Sequence, residues 1–214
     1  MPGETILTAP VLLQPQLRLR KLVFDYVLGA LLLIVFFIPM ACIAVAIKLE
    51  SPGPVFFRQP RIGLNNERFQ VWKFRTMVHT EADLNGKCLT LRNDPRITGV
   101  GLWLRRWSID EVPQLFNVMV GEMSLVGPRP HPIEANVGGR LYRDIVAGYD
   151  DRHCVKPGMT GWAQVNGWRG ETISVHQIEQ RVAYDMDYIR NWSLLLDLKI
   201  ILRTIGCVSG KEVF

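Results

Sequence analysis

The sequence predicts an α/β protein that is mixed and mostly helical, with a small strand pair. Residues 22–47 form a long apolar run whose only charge is Asp25, which predicts a membrane helix. Two strand-like segments follow, and apolar residues recur at helical spacing near the C-terminus. We therefore expect residues 1–50 to hold a tail and a re-entrant membrane helix, and residues 51–214 to form a cytosolic domain with interfacial amphipathic helices.

Three interpretations of the apolar run compete. A signal peptide is disfavoured because the run is too long and the preceding charges lie far from residue 1. A spanning helix conflicts with the positive-inside bias, because basic residues flank both ends. These are Arg18, Arg20 and Lys21 before the run, and Lys48, Arg58 and Arg61 after it. A re-entrant helix places both flanks on the cytosolic side, and Pro39 provides a physical cause for a bend.

The segment after residue 50 predicts a turn, a strand pair and a helix. Residues 55–63 and 68–77 are the expected strands, joined through Asn65 and Asn66, and Pro60 would confine the first strand to an edge. Residues 78–97 read as an irregular surface excursion. A helix over 98–106 follows, in which we expect Trp103 to be buried.

Two helices are expected near the C-terminus. The first carries a regular apolar face, formed by Val175, Ile178, Val182, Met186 and Ile189. The second begins at Ser193, a suitable N-cap, and should end before Gly206. Its largely apolar circumference fits either a core helix or a helix in the membrane interface.

Bulk composition narrows the ligand class. The net charge of +5 suits anionic small molecules or anionic lipid, and no long basic run indicates nucleic-acid binding. The cysteines are scattered and form no CxxC pair, which argues against a zinc site or a disulfide framework and fits a reducing cytosol. They are Cys42, Cys88, Cys154 and Cys207.

Adjacent carboxylates at Asp110 and Glu111 have two readings. They can stabilise a helix start, with Ser108 or Asp110 as the N-cap. Alternatively, nearby cations turn the pair into a phosphate site with a divalent ion, in which one acid is a nucleophile and the other handles the metal. The candidate phosphate-binding cations are Lys73, Arg75, Arg105 and Arg129. For Lys73 and Arg75, solvated positions on a half-exposed strand are the alternative.

Longer motifs resemble a known family. In one order, the chain contains GPVFFRQPRIG with FQVWKFRTM, then RRWSIDEVPQLFNVMVGEMSLVGPRP, then VKPGMTGWAQVNGWRGET. These motifs resemble the bacterial sugar transferases, the monotopic polyprenyl-phosphate phosphoglycosyl transferases, over about residues 18–205. The resemblance implies a membrane-embedded re-entrant helix and a cytosolic α/β catalytic domain at the bacterial inner membrane.

The resemblance also implies a reaction. A sugar-1-phosphate moves from a nucleotide diphosphate sugar to undecaprenyl phosphate with Mg²⁺, as the first membrane step of exopolysaccharide synthesis. Asp110 would attack the sugar-bearing phosphorus and expel UMP, and Glu111 would be its partner and a metal contact. Lys73, Arg105 and Arg129 would neutralise phosphate charge, because an anionic nucleophile is otherwise repelled by a diphosphate.

Three departures from the family pattern stand out. Ile38 rather than serine precedes Pro39, the stretch HPIEANVGGRLY after PRP has no confident alignment, and the extra N-terminal spans of many relatives are lacking, so the chain resembles a minimal catalytic unit.

The segment NGWRGET resembles members that transfer glucose-1-phosphate, which points to UDP-glucose. UDP-galactose or another UDP-sugar, and a non-catalytic membrane scaffold, are the alternatives. The sequence does not decide whether the chain forms a homodimer.

Overall fold

The computed structural model describes residues 14–78, 94–170 and 172–209 of the chain. Within these residues the protein is mixed and mostly helical, which confirms that part of the predicted fold class. It contains three two-stranded sheets, of which the sequence predicted one. Most of the predicted excursion over 78–97 lies outside the described residues.

Helix α1 spans Pro15–Glu50 and continues through Pro39. Its 36 residues correspond to about 54 Å, and it is the one described helix that is long and apolar enough to cross a membrane. Few of its residues are buried: Lys21, Asp25, Gly29, Met40 and Ile47. These come from both halves of the helix, so α1 lies along the rest of the protein instead of projecting away from it.

The predicted strand pair is confirmed. Strand β1 (Phe56–Ile62) pairs antiparallel with β2 (Arg68–Phe74), with Pro60 opposite Gln70. In the 3₁₀ turn between them Asn65 and Asn66 adopt positive φ angles of 53° and 62°, which asparagine tolerates better than most residues. The hairpin presents Lys73 near the end of β2.

Helix α2 spans Gly99–Arg106, and the Thr98 side chain accepts a hydrogen bond from the Gly101 amide at its start. The expectation that Trp103 is buried was wrong, since this side chain is 50% exposed. Helix α2 turns Gly101 and Leu104 towards the protein, and Trp103 lies off that face.

A short central layer follows. A 3₁₀ turn, Ile109–Glu111, leads into α3 (Gln114–Val120), and β3 (Ser124–Val126) pairs in parallel with β6 (Gly158–Thr160). The smaller elements between and after them complete this part of the fold. They are β4 (Asn136–Val137), β5 (Arg140–Leu141), α4 (Tyr142–Ile145), the 3₁₀ segment Tyr149–Cys154 and α5 (Trp162–Val165).

Both C-terminal helices are present. Helix α6 (Val175–Arg190) begins with a capping box between Ser174 and Gln177. Helix α7 (Leu194–Ser209) begins with Ser193 as its N-cap, but it continues through Gly206 instead of ending before it. Apolar side chains of α7 are exposed on one side: Leu195, Leu198, Leu202 and Ile205.

A buried polar network fastens α1 to the rest of the protein. Lys21 Nζ lies 3.2 Å from Asp25 and 2.8 Å from Asp197. Asp25 also accepts hydrogen bonds from Ser124 Oγ at 2.7 Å and from the Leu125 amide at 3.1 Å. The single charge of the apolar run is therefore a structural anchor whose oxygens are satisfied by the domain.

Candidate active site

The 3₁₀ turn between α2 and α3 holds both carboxylates. Ser108, at its start, adopts a left-handed conformation (φ 52°), which reverses the chain between Arg106 and Ile109. Lys73 from β2 and Arg129 from the segment after β3 reach the same turn. Residues distant in sequence thus converge on the pair.

Glu111 is held by two cations. Lys73 Nζ donates to Glu111 Oε1 at 2.6 Å, and Arg129 donates through both terminal nitrogens, at 2.6 Å to Oε1 and 3.0 Å to Oε2. Burial opposes ionisation of Glu111, yet Arg129 and Lys73 together keep its pKa well below the usual value. Glu111 therefore stays anionic.

Asp110 has the opposite environment. It is buried and accepts no hydrogen bond from the described residues. Burial raises the pKa of Asp110 to about 6, and the negative charge of Glu111 adds to the rise, while Lys73, Arg105 and Arg129 oppose it. Neighbouring carboxylates with pKa values pushed apart are typical of sites that divide chemical roles.

Both acids lie in the first turn of a 3₁₀ helix, as expected, but the described residues around the pair make no side-chain capping hydrogen bond. The Ser108 side chain makes no capping hydrogen bond and instead accepts one from Arg169. Helix α3 begins after Pro113, and the Glu111 carboxylate is occupied by Lys73 and Arg129. A capping role would not require these cations.

Arg105 and Arg75 have different positions. Arg105 lies near Asp110 and donates from Nε to Thr76 Oγ1 at 2.8 Å; burial lowers the pKa of Arg105, while Asp110 favours its charged form. Arg75 is 3% exposed and donates to main-chain oxygens of Ile47, Ser51 and Pro52. Arg75 therefore satisfies carbonyls at the C-terminal end of α1, and the structure does not bring its guanidinium to the acidic pair.

Two further arginines approach the pair and were not singled out from the sequence. Arg169 contacts Ser108, and the charge of Glu111 acts on both Arg169 and Arg61. Both arginines lie in motifs that carry the family resemblance, NGWRGET and FFRQPRIG. Membership of these motifs was the sequence feature that could have identified them as site residues.

A buried ion pair positions the Arg129 main chain. Arg152 donates from Nη2 to the Arg129 carbonyl at 2.6 Å and pairs with Asp185 at 2.9 and 2.6 Å. His131, packed against this pair, lies 2.7 Å from the Tyr149 hydroxyl through Nδ1. The segment after PRP, which did not align, thus supplies part of the scaffold that holds Arg129.

A cleft lies beside Arg129, and together with the open space at its mouth it measures about 310 Å³. Its polar wall includes Arg169, Arg181 and Asp185, and Trp168 supplies an aromatic surface. The buried Oε1 atom of Gln164 at this cleft has no hydrogen-bond partner among the described residues. Buried amides are ordinarily satisfied, so this acceptor is suited to a ligand hydroxyl.

Asp110 and Glu111 are the residues that would hold a Mg²⁺ ion together with a substrate. No group of three metal-ligating side chains occurs among the described residues. Mg²⁺ usually binds proteins through one or two carboxylates together with substrate phosphates, so Asp110 and Glu111 are a sufficient protein contribution. Glu111 already holds Lys73 and Arg129, which leaves Asp110 as the less occupied ligand.

A helix that is long and apolar enough to cross a membrane packs on a small α/β domain, and this domain holds an acidic pair among several cations. These features fit the class of proteins that act on phosphate groups at a membrane. Comparison with known proteins identifies the family. The profile of the bacterial sugar transferase family matches residues 16–211. The chain belongs to the bacterial sugar transferase family.

Relatives with assigned activities share about half of its residues. A UDP-glucose:undecaprenyl-phosphate glucose-1-phosphate transferase of Escherichia coli (strain K12) is 50% identical over 190 residues, 88% of this chain and 40% of the relative. An undecaprenyl-phosphate glucose phosphotransferase of Komagataeibacter xylinus is 51% identical over 196 residues, 92% of this chain and 36% of the relative.

A relative with a different sugar is more distant. The UDP-N-acetylgalactosamine-undecaprenyl-phosphate N-acetylgalactosaminephosphotransferase of Aeromonas hydrophila is 42% identical over 183 residues, 85% of this chain and 42% of the relative. The chain spans about two fifths of the length of these three relatives.

Proposed function

We propose that the chain transfers glucose-1-phosphate from UDP-glucose to undecaprenyl phosphate and releases UMP. The observation that carries the proposal is the unequal carboxylate pair: Glu111 clamped by Lys73 and Arg129, and Asp110 buried beside it without a hydrogen-bond partner among the described residues. The names of the relatives that are about 50% identical support the donor and acceptor.

The reaction proceeds in two displacements. An oxygen of Asp110 attacks the sugar-bearing phosphorus, and the bond from that phosphorus to the bridging oxygen breaks, so UMP leaves. The enzyme then holds the phosphosugar as an acyl phosphate. The phosphate oxygen of undecaprenyl phosphate attacks the same phosphorus, which breaks the acyl phosphate and restores the Asp110 carboxylate.

The cations make the first displacement feasible. Repulsion between a carboxylate and a diphosphate is offset by Lys73, Arg105 and Arg129 around Asp110. The cleft beside Arg129 would receive the donor, with Arg169 near its phosphates and Gln164 accepting from a sugar hydroxyl. Mg²⁺, held by Asp110, Glu111 and the donor phosphates, would neutralise further charge on the diphosphate and the leaving UMP.

Helix α1 is proposed to dip into the cytosolic face of the bacterial inner membrane and return to it. Contacts from both halves of α1 to the same domain support this path: Lys21 pairs with Asp197, while Met40 and Ile47 pack with Phe74 and Leu104. A helix that crossed the bilayer away from the domain would leave one half without such contacts. The apolar side of α7 would then lie in the interface.

The test is an assay of the purified full chain with UDP-glucose, undecaprenyl phosphate and Mg²⁺. We expect sustained UMP release that requires all three, and attachment of labelled phosphosugar to the protein when the acceptor is omitted. Asp110→Asn should abolish both signals, while Asp144→Asn, an exposed aspartate, should retain them. Full activity of Asp110→Asn would eliminate Asp110 as the nucleophile.

The alternative donor is addressed by a panel of UDP-sugars. The Aeromonas hydrophila relative favours inclusion of UDP-N-acetylgalactosamine beside UDP-galactose. Turnover of either sugar with UDP-glucose inert would correct the donor and leave the mechanism intact. Absence of UMP release with every donor would favour the scaffold.

A further inference from the structure

A second cleft, distinct from the carboxylate pair, lies between the first turns of α1 and the domain. The cleft and the open space at its mouth together measure about 680 Å³. One face of α1 forms a wall, with Arg18, Lys21, Leu22, Asp25 and Tyr26 at helical spacing. None of the residues assigned to the acidic pair or its phosphate-binding cations lines this cleft.

Positive charge predominates in the cleft. Lys21 is neutralised by Asp25 and Asp197, whereas the side chains of Arg18 and Lys156 make no hydrogen bond or ion pair within the described part of the chain. Burial lowers the pKa of Lys156, and repulsion from Arg18 and Lys21 lowers it further despite the attraction of Asp25. An anion bound between Arg18 and Lys156 would offset the repulsion between these cations and would favour the charged form of Lys156.

The polar end of the cleft is sharply defined. Gly121, which ends α3 with a φ angle of 91°, leaves room for two approaching side chains. A Cβ atom at Gly121 would lie 3.0 Å from the Tyr26 hydroxyl and 3.4 Å from Lys156 Nζ. The Tyr26 hydroxyl therefore lies near Lys156 and can donate a further hydrogen bond to an anion.

Most of the remaining lining residues are apolar, among them Leu64, Val118, Val126 and Val155. Leu22, which also lines the cleft, is 40% exposed, and Val23 and Val27 beside it on α1 are 52% and 58% exposed. A ligand that suits this cleft carries its negative charge on one end and an apolar chain on the other, which disfavours inorganic phosphate.

We propose that this cleft binds the phosphodiester headgroup of an anionic membrane phospholipid. Arg18 and Lys156 pair with the phosphate, and the acyl chains follow the exposed apolar side of α1. A phospholipid is favoured over the prenyl phosphate acceptor because the acceptor phosphate must reach Asp110, which is not part of this cleft. The site is independent of the proposed transfer reaction.

The experiment uses the purified full chain in a fixed uncharged detergent. Short-chain phosphatidylglycerol, below its own micelle concentration, is titrated against the melting temperature, with phosphatidylcholine of the same chain length in parallel. We expect saturable stabilisation by phosphatidylglycerol alone. In the double variant Arg18→Gln/Lys156→Gln the apparent affinity should fall at least about tenfold.

The matched control is Arg20→Gln/Lys48→Gln, which removes the same charge from exposed positions of α1 outside the cleft. It should bind phosphatidylglycerol like the unmodified chain. Because Lys156 is partly buried, Arg18→Gln alone, at an exposed position, gives a second variant that does not threaten folding. It should weaken binding in the same direction.

Several results would overturn the proposal. They are equal shifts with both lipids, equal losses in the cleft and control variants, and competition by inorganic phosphate or by prenyl phosphate at lower concentration than phosphatidylglycerol. Absence of a shift with either lipid would equally overturn it.

Discussion

At the scale of single residues, neighbouring acids in one turn have opposite environments. Glu111 receives three hydrogen bonds from Lys73 and Arg129, whereas Asp110 is buried against the same charges without direct contact. The adjacency is visible in the sequence, but the difference in ionisation depends on which cations reach which oxygen. Only the folded arrangement of β2 and the segment after β3 decides that.

Lys73 should control both the rate and its pH dependence. Lys73→Gln removes a cation that lowers the pKa of Asp110, so that pKa should rise. The acidic limb of the kcat/KM profile should therefore move to higher pH, and kcat/KM at neutral pH should fall on the order of 100-fold. Arg68→Gln, an exposed position on the same strand, is the control. An unmoved acidic limb would contradict the role given to Lys73.

His131 should make stability depend on pH. Burial, together with Arg152 and Arg181, holds the pKa of His131 well below its usual value, so the native state keeps it neutral. The unfolded state takes up a proton as the pH falls below about 6.5, so the contribution of His131 to stability is lost there. The destabilisation caused by His131→Asn should shrink by about 1–2 kcal/mol between pH 7.5 and pH 5, measured by denaturant unfolding. A constant difference would refute this.

At the scale of elements, the sequence predicts most helices and strands, but it does not predict the surroundings of every side chain on them. The hairpin, α2, α6 and the start of α7 follow from turn asparagines, N-caps and periodicity. The predicted burial of Trp103 was wrong, because burial depends on what packs against a helix. The predicted end of α7 was wrong, because a glycine such as Gly206 does not by itself end a helix. The partners of Arg75 could not be read from the sequence either, because they are carbonyls at the end of a different element.

The attachment of α1 to the domain depends on Asp25. Asp25→Ala removes the acceptor of the buried Leu125 amide and a partner of Lys21, so the free energy of unfolding should fall by about 2–4 kcal/mol. Denaturant unfolding in detergent measures this. Glu179→Ala, at an exposed position of α6, should change stability by about 0.5 kcal/mol or less. Equal effects of both substitutions would mean that Asp25 is not an anchor.

At the scale of the whole molecule, α1 combines an exposed apolar surface with contacts to the domain from both of its halves. The exposed apolar residues of α1 belong to the same helix as Lys21 and Ile47, which both contact the domain. Together with the apolar side of α7, this surface supports the proposal that α1 enters and leaves the membrane on one face.

Single cysteines at Gln16 and Glu67 test this path in membrane vesicles after replacement of the native cysteines by serine. Both introduced thiols should react with an impermeant reagent added from the cytosolic side, because a re-entrant helix returns its flanks to one face. Labelling of residue 16 only from the opposite side would establish a spanning helix and overturn the proposed topology.

The sequence by itself determined the family, the apolar helix, the hairpin, the C-terminal helices and the acidic pair, because each depends on local pattern or on contiguous motifs. Only the tertiary structure decided three pairings. Arg129 and Lys73 bind Glu111, Arg75 binds carbonyls at the C-terminal end of α1, and Arg18 and Lys156 line one cleft. The physical reason is range: propensity and periodicity act over a few residues, whereas a charge is assigned its partner by elements that meet from distant parts of the chain.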